Sequence, residues 1–179
     1  MSFEFRHCTF EMDYESYISF LLQHHAELNL PYPFALKLSF LSSPLLLGKA
    51  MLILSEEPYE IIGAAGFVYG TGANDYKDRQ ICQVEVAYLL PAYRRTLLFG
   101  YALQALLDAM KAGNPDVETV QFWSPQENAD LEKLFSKFGS LPGAERSVVN
   151  QLVCYRIPYA ELQKAGRRPE NRHLVQQRS

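Results

Sequence analysis

At 179 residues the chain has room for one domain with a sizeable core and too little for two ordinary ones. Its 48% apolar and 13% aromatic content excludes a disordered chain, its net charge of −3 excludes a global pull toward nucleic acid, and no apolar run is long enough to cross a membrane. Cys8, Cys82 and Cys154 stand far apart with no CxxC or Cys/His spacing, and Ser2–Arg6 is too short and charged for a signal peptide. This predicts reduced thiols, no metal site and a cytoplasmic protein.

Phe3, Phe5 and Cys8 alternate with Glu4 and Arg6, as in a short first strand. Tyr14, Tyr17, Ile18, Leu21, Leu22, His25 and Leu28 recur at helical spacing, and Pro31 and Pro33 break that helix. A second helix is expected from Phe34 to about Leu41. Ala50–Leu54 and Ile61–Val68, around the turn Glu56–Tyr59, predict a hairpin. After the polar loop 70–78, Ile81–Leu90 reads as a strand, followed by the basic pair Arg94 and Arg95 and a helix entered near Gly100. Leu103, Leu106, Leu107 and Met110 form that helix's apolar face, and Gly113 with Pro115 ends it. Val117–Trp123 predicts a strand, Ser124-Pro-Gln-Glu127 a capping box, and Leu131, Leu134, Phe135 and Phe138 the stripe of a helix ending at Gly139. Val148–Ile157 reads as the last strand. A single domain over 1–158 with a polar tail over 159–179 is expected, with strands and helices alternating around a mixed sheet.

The segment Gln83–Gly113 carries the chemical signal. A strand, a basic loop and a helix N-terminus together suit a pyrophosphate, because first-turn N–H groups point outward with partial positive charge. Arg94 and Arg95 add formal charge there. Other tempting residues point elsewhere: His24 and His25 are adjacent on a helix and cannot both face one metal, and the basic tail reads as a solvated terminus.

In the order and spacing of its blocks the chain resembles the GNAT superfamily of N-acetyltransferases over nearly its whole length. Pro91-Ala-Tyr-Arg-Arg95 is similar to the family's Pro-x-Tyr-Arg signature. Arg95-Thr-Leu-Leu-Phe-Gly100 is similar to its Q/R-x-x-G-x-G/A loop, and Asn128, Leu131, Leu134, Lys137 and Gly139 fall on its next helix pattern. The resemblance implies a central mixed sheet of six to seven strands with about four helices, an α/β (α+β) fold closing in a hairpin. It implies an acetyl-CoA-dependent N-acetyltransferase acting on a primary amine of a small molecule or protein. Acyl-CoA and an amine acceptor would be its partners, with no nucleic acid and no membrane; a homodimer is left open.

By the same resemblance Arg94, Arg95, Thr96, Leu97, Leu98, Phe99 and Gly100 would bind the pyrophosphate. Leu89 and Leu90 would offer backbone groups to the pantetheine, and Asn128 would line the far wall. Glu85 is the best-placed carboxylate to take the amine proton, and alternation puts it on the side of Ala87 and Leu89. The plain alternative is a solvent-facing strand residue. Three residues depart from the pattern. Leu98 stands where the loop's first glycine is usual, Phe135 where a tyrosine acts as general acid, and Ser140 where a phenylalanine follows the glycine. Leu98 and Phe135 favour a second reading, a catalytically weak GNAT-like acyl-CoA-binding or protein-interaction module; Arg95, Gly100 and Asn128 favour the enzyme. Tyr32, Pro33 and Phe34 lie in a segment that borders the acceptor site in that family, or equally are lids on the core.

Overall fold

The computed structural model describes residues 2–166. The expected hairpin forms as β2 (Gly48–Glu56) and β3 (Tyr59–Tyr69), buried along most of both strands. Burial on two faces explains the unbroken apolar runs: Met51 and Ile53 enter one core, Ala50, Leu52 and Leu54 the other. β1 (Phe3–His7) pairs with β2, and β4 (Ile81–Leu89) pairs with β3. β5 (Thr119–Pro125) joins β4 in parallel, and the hairpin β6 (Glu145–Val149) and β7 (Leu152–Pro158) completes a mixed sheet of order β1-β2-β3-β4-β5-β7-β6.

Helices α1 (Glu11–Gln23) and α2 (Phe34–Leu47) cover one face through Tyr17, Leu21 and Leu41. The other face carries α3 (Leu98–Gly113), α4 (Ala129–Gly139) and α5 (Tyr159–Gly166). The expected α/β architecture stands, with five helices among the described residues. None is long and apolar enough to cross a membrane.

Four elements differ from the sequence expectation, each for a local reason. α2 runs past Leu41 and through Pro44. The Phe40 carbonyl, which Pro44 cannot serve, accepts from the Ser43 hydroxyl at 3.4 Å. The last strand is two strands, because Asn150 and Gln151 both adopt positive φ and fold the chain back in a two-residue turn. Ser124 is not a helix cap; it is buried in β5, and Asn128 caps α4 by accepting from the Leu131 N–H at 3.1 Å. Residues 159–166, expected as the start of a tail, form α5 with Tyr159 and Leu162 buried. The arginines expected beyond Lys164 lie outside the described residues.

Two irregularities place the site. Strands β4 and β5 pair only from Ile81↔Thr119 to Val84↔Phe122, and then part. At the same level the β3–β4 register slips: Phe67 faces Val84 and Gly66 faces Val86, so Glu85 is the extra residue of a bulge. Gly66 makes room there, since a Cβ on it would lie 2.4 Å from the Tyr17 hydroxyl oxygen.

Candidate active site at the β4–β5 splay

The bulge changes which face Glu85 occupies. Val84 packs into the α3-side core and Val86 into the α1/α2-side core, so the alternation is reset between them. Glu85 therefore sits on the α1/α2 face, near Tyr17 and Tyr32, while Leu89 packs on the opposite face. This corrects the expectation that Glu85 shares a side with Ala87 and Leu89. The residue is not a solvent-facing bystander: it is 9% exposed. Burial pushes its carboxyl up to about 7, against a hydrogen bond from Gln83 that favours the ionised form. A carboxylate held near neutrality at the edge of an opening suits proton abstraction.

The loop after β4 leads into the start of α3, which meets α4 through Phe99 and Phe138. Its first intrahelical bond runs from the Tyr101 N–H to the Leu97 carbonyl, so the N–H groups of Leu98, Phe99 and Gly100 precede the helical ladder. Leu98, which stands where the loop's first glycine is usual, turns its side chain into the core and is 2% exposed. Its N–H is engaged at 3.3 Å by the Thr96 hydroxyl, which itself donates to the Tyr93 carbonyl. Leu97 is exposed, and Phe99 stacks toward Phe138 of α4 with ring centroids 6.3 Å apart.

The two arginines have separate fates. Arg95 takes a left-handed backbone, φ 60°, and projects its side chain outward to pair with Asp130 at 3.3 Å. Arg94 turns back over the sheet. Its Nε donates to the Leu89 carbonyl at 2.9 Å, its guanidinium lies over the Tyr88 ring, and Glu27 is 3.9 Å away. Tyr88 also donates to Glu27 and meets His24 Nδ1 at 3.3 Å. The structure thus brings Arg95, Thr96, Phe99 and Gly100 to the helix mouth and joins Arg94 to a cluster that ties the segment after α1 to β4.

The backbone candidates also divide. The Leu90 N–H donates to Ile62 on β3 at 2.8 Å and faces away from the opening. Leu89, one residue earlier, turns its peptide groups to the opposite edge, where its carbonyl already accepts from Arg94 Nε. Asn128, besides capping α4, donates to Asn29 Oδ1 at 3.3 Å, joining the α1–α2 connection to α4. Phe135 is half-buried on the α3 side, 4.7 Å from Phe122 and 5.6 Å from Tyr155 by ring centroid. It stands where β5 leaves β4.

Gln83, Gln121, Trp123 and Arg156 were not anticipated, yet their side chains share the Glu85 face. Their one sequence signal is the alternation of Gln121 and Trp123 with Val120 and Phe122 in β5. Their partners are 35 to 40 residues away in the chain, which no local pattern reports.

No protein-family model and no curated protein matches the sequence. Solved structures do match the fold. An acetyltransferase of the GNAT family from Staphylococcus aureus Mu50 superposes with a TM-score of 0.62 at 12% identity, over 88% of this chain and 99% of that one. The ribosomal-protein-S18-alanine N-acetyltransferase from Escherichia coli gives 0.56 at 12%, over 88% and 94%. The yncA structure from Salmonella typhimurium, solved with its cofactor acetyl-CoA, gives 0.57 at 15%, over 89% and 95%. The chain has the fold of the GNAT acetyltransferases.

Proposed function

We propose that this chain moves an acetyl group from acetyl-CoA to a primary amine of a small molecule or a protein, with Glu85 taking the amine proton. One observation carries this reading: a buried carboxylate with a pKa of about 7 on the bulge where β4 leaves β5. The acetyl-CoA in yncA supports the choice of co-substrate. The alanine acceptor named for the S18 enzyme keeps protein amines in consideration.

A lysine-like amine has a pKa of about 10.4 and arrives protonated. Ionised Glu85 accepts that proton, directly or through one water, and the freed lone pair attacks the thioester carbon. Collapse of the tetrahedral adduct breaks the C–S bond and releases a thiolate of pKa about 8.5, which takes up the second proton lost by the amine nitrogen. So good a leaving group needs little acid assistance, and Phe135 is tolerable in place of a phenol. Arg95 and the N–H groups of Phe99 and Gly100 would hold the pyrophosphate, and Leu89 would pair with the pantetheine amide.

The test is thiol release from acetyl-CoA over polyamines, aminoglycosides, amino acids and peptides, with calorimetry of CoA on wild type and Arg95→Ala. Turnover that Glu85→Gln abolishes while CoA affinity is kept supports the reading. No CoA binding at millimolar concentration overturns it. Binding with no turnover favours the second reading, an acyl-CoA-binding or protein-interaction module, for which the engaged Leu98 N–H and the missing phenol at Phe135 speak.

A further inference from the structure

Among the described residues Glu85 has one side-chain hydrogen-bond donor, Gln83 Nε2 at 3.3 Å. That amide belongs to a chain crossing three strands. Arg156 Nε on β7 donates to Gln121 Oε1 on β5 at 2.7 Å, and Gln121 Nε2 donates to Gln83 Oε1 on β4 at 2.6 Å. The Trp123 indole N–H also reaches Gln83 Oε1, at 3.4 Å.

A side-chain amide can be turned by half a rotation with little change of shape, so its orientation must be set by its partners. Here the ends set it. A guanidinium has donors only and a carboxylate acceptors only. Arg156 therefore requires the oxygen of Gln121, which turns the Gln121 nitrogen toward Gln83, which turns the Gln83 nitrogen toward Glu85. Gln121 is 3% exposed, so its amide depends on these partners rather than on water.

We infer that Arg156 is a positioning residue for Glu85, acting through Gln121 and Gln83 so that the carboxylate meets a donor rather than an acceptor. The inference rests on the proposed role of Glu85 for its purpose, and on the side-chain chain itself for its existence. Two strand spacings, roughly 10 Å, separate Arg156 from β4, a distance at which its charge alone can move Glu85 by as much as the amide orientation does, so the test must separate the two. The other groups near Glu85 are Tyr17 from α1 and Tyr32 from the segment before α2. Burial pushes both phenols up, so they stay neutral while Glu85 titrates. Arg156 lines an open groove of about 400 Å³ with Trp123, Glu145 and Cys154, so replacing it opens no core.

With Arg156 removed, Gln121 is free to turn and set its oxygen against Gln83, which leaves only the longer Trp123 bond, 3.4 Å, to hold the Gln83 oxygen away from Glu85. A turned Gln83 puts an oxygen toward the carboxyl and favours the protonated acid. Arg156→Met should therefore raise the midpoint of Glu85 by roughly half a unit to one unit. Gln121→Met keeps the charge of Arg156 but cuts the chain, and should raise it similarly. Arg156→Lys keeps a donor-only end and should restore the wild-type value. The measurement is a carboxyl-¹³C NMR titration, with Glu85 assigned by Glu85→Gln, run beside the pH profile of kcat/KM. Raised midpoints in both methionine variants with rescue by lysine support the inference. Equal midpoints in wild type and both methionine variants overturn it, as does a shift in Arg156→Met alone, which would be a charge effect. The titration needs no turnover, so an inactive protein would sink the proposed acetyl transfer and still decide the role of Arg156.

Discussion

Strands β2 and β3 carry helices on both faces, whereas β7 and β6 carry α4 and α5 on one face and, among the described residues, no helix on the other. In the first region Tyr17, Leu41, Leu107 and Met110 are essentially sealed from water. In the second, α4 has no buried residue and β6 is exposed along its length. The proposed base sits on the boundary between them. Its own strand belongs to the closed region, which desolvates it, and its hydrogen-bond partners extend onto the bare face of the open one. A carboxylate fully inside the closed region would lack access to an amine. One in the open region would keep an ordinary carboxylate pKa.

If the closed region holds the fold together, Leu107→Ala should cost about 2–5 kcal/mol in urea unfolding. Leu134→Ala, half-buried on α4, should cost roughly 1 kcal/mol. Equal losses would erase the comparison.

Glu85→Gln tests the boundary itself. An acid whose pKa is raised on folding, here from 4.5 to about 7, destabilises the fold once it must ionise inside it. That cost is fully present above pH 7, shrinks as pH falls from 7 to 4.5, and vanishes below 4.5, where both states are protonated. Glu85→Gln should therefore stabilise the protein at pH 8 by on the order of 2–3 kcal/mol and leave it nearly unchanged at pH 4. Wild-type kcat/KM should lose activity as pH falls through about 7. A variant no more stable at pH 8 than at pH 4 would mean that Glu85 is well solvated.

The closed region was also the legible one. Its strands alternate or run continuously apolar, and α3 showed its stripe of Leu103, Leu106, Leu107 and Met110 directly. What the sequence did not disclose depended on distant partners. The bulge at Glu85 has no signature within β4; it depends on Gly66 across the strand and on Tyr17 packed against it. That Arg94 folds back onto β4 was not legible because its partner Glu27 lies 67 residues earlier, before the hairpin. Leu98 stood out as a departure from the loop pattern because that pattern gives no direction for its side chain, which the α3 core claims. The resemblance sets Asn128 on the cofactor wall, and the same side chain caps α4, a task the sequence pattern suggests for Ser124.

Phe135→Tyr probes the open region at its inner lip. The ring is half-buried, so an added hydroxyl can reach water, and the stability change should stay within about 1 kcal/mol. If thiolate departure limits turnover, acetyl transfer should rise by roughly several-fold, far below the 10²–10⁴ that acid catalysis gives poor leaving groups. A fall in Tm beyond that range with no kinetic gain would place the ring in the closed core.

The smallest expected effect concerns the ion pair Arg95–Asp130, which joins the start of α3 to the first turn of α4. Both side chains are exposed, 84% and 85%, so the pair adds little to the fold. It does occupy the arginine assigned to the pyrophosphate, and a diphosphate reaching Arg95 must compete with the Asp130 carboxylate. Asp130→Asn removes the competitor and one negative charge at nearly constant shape. CoA affinity by calorimetry should tighten by less than about fivefold at low salt, and the gain should fade at high ionic strength as the charges are screened. Arg95→Ala should weaken binding, and Asp130→Asn should have no effect in that background. An unchanged Kd at low salt in Asp130→Asn would mean that the phosphates settle on the N–H groups of Phe99 and Gly100 without the help of Arg95.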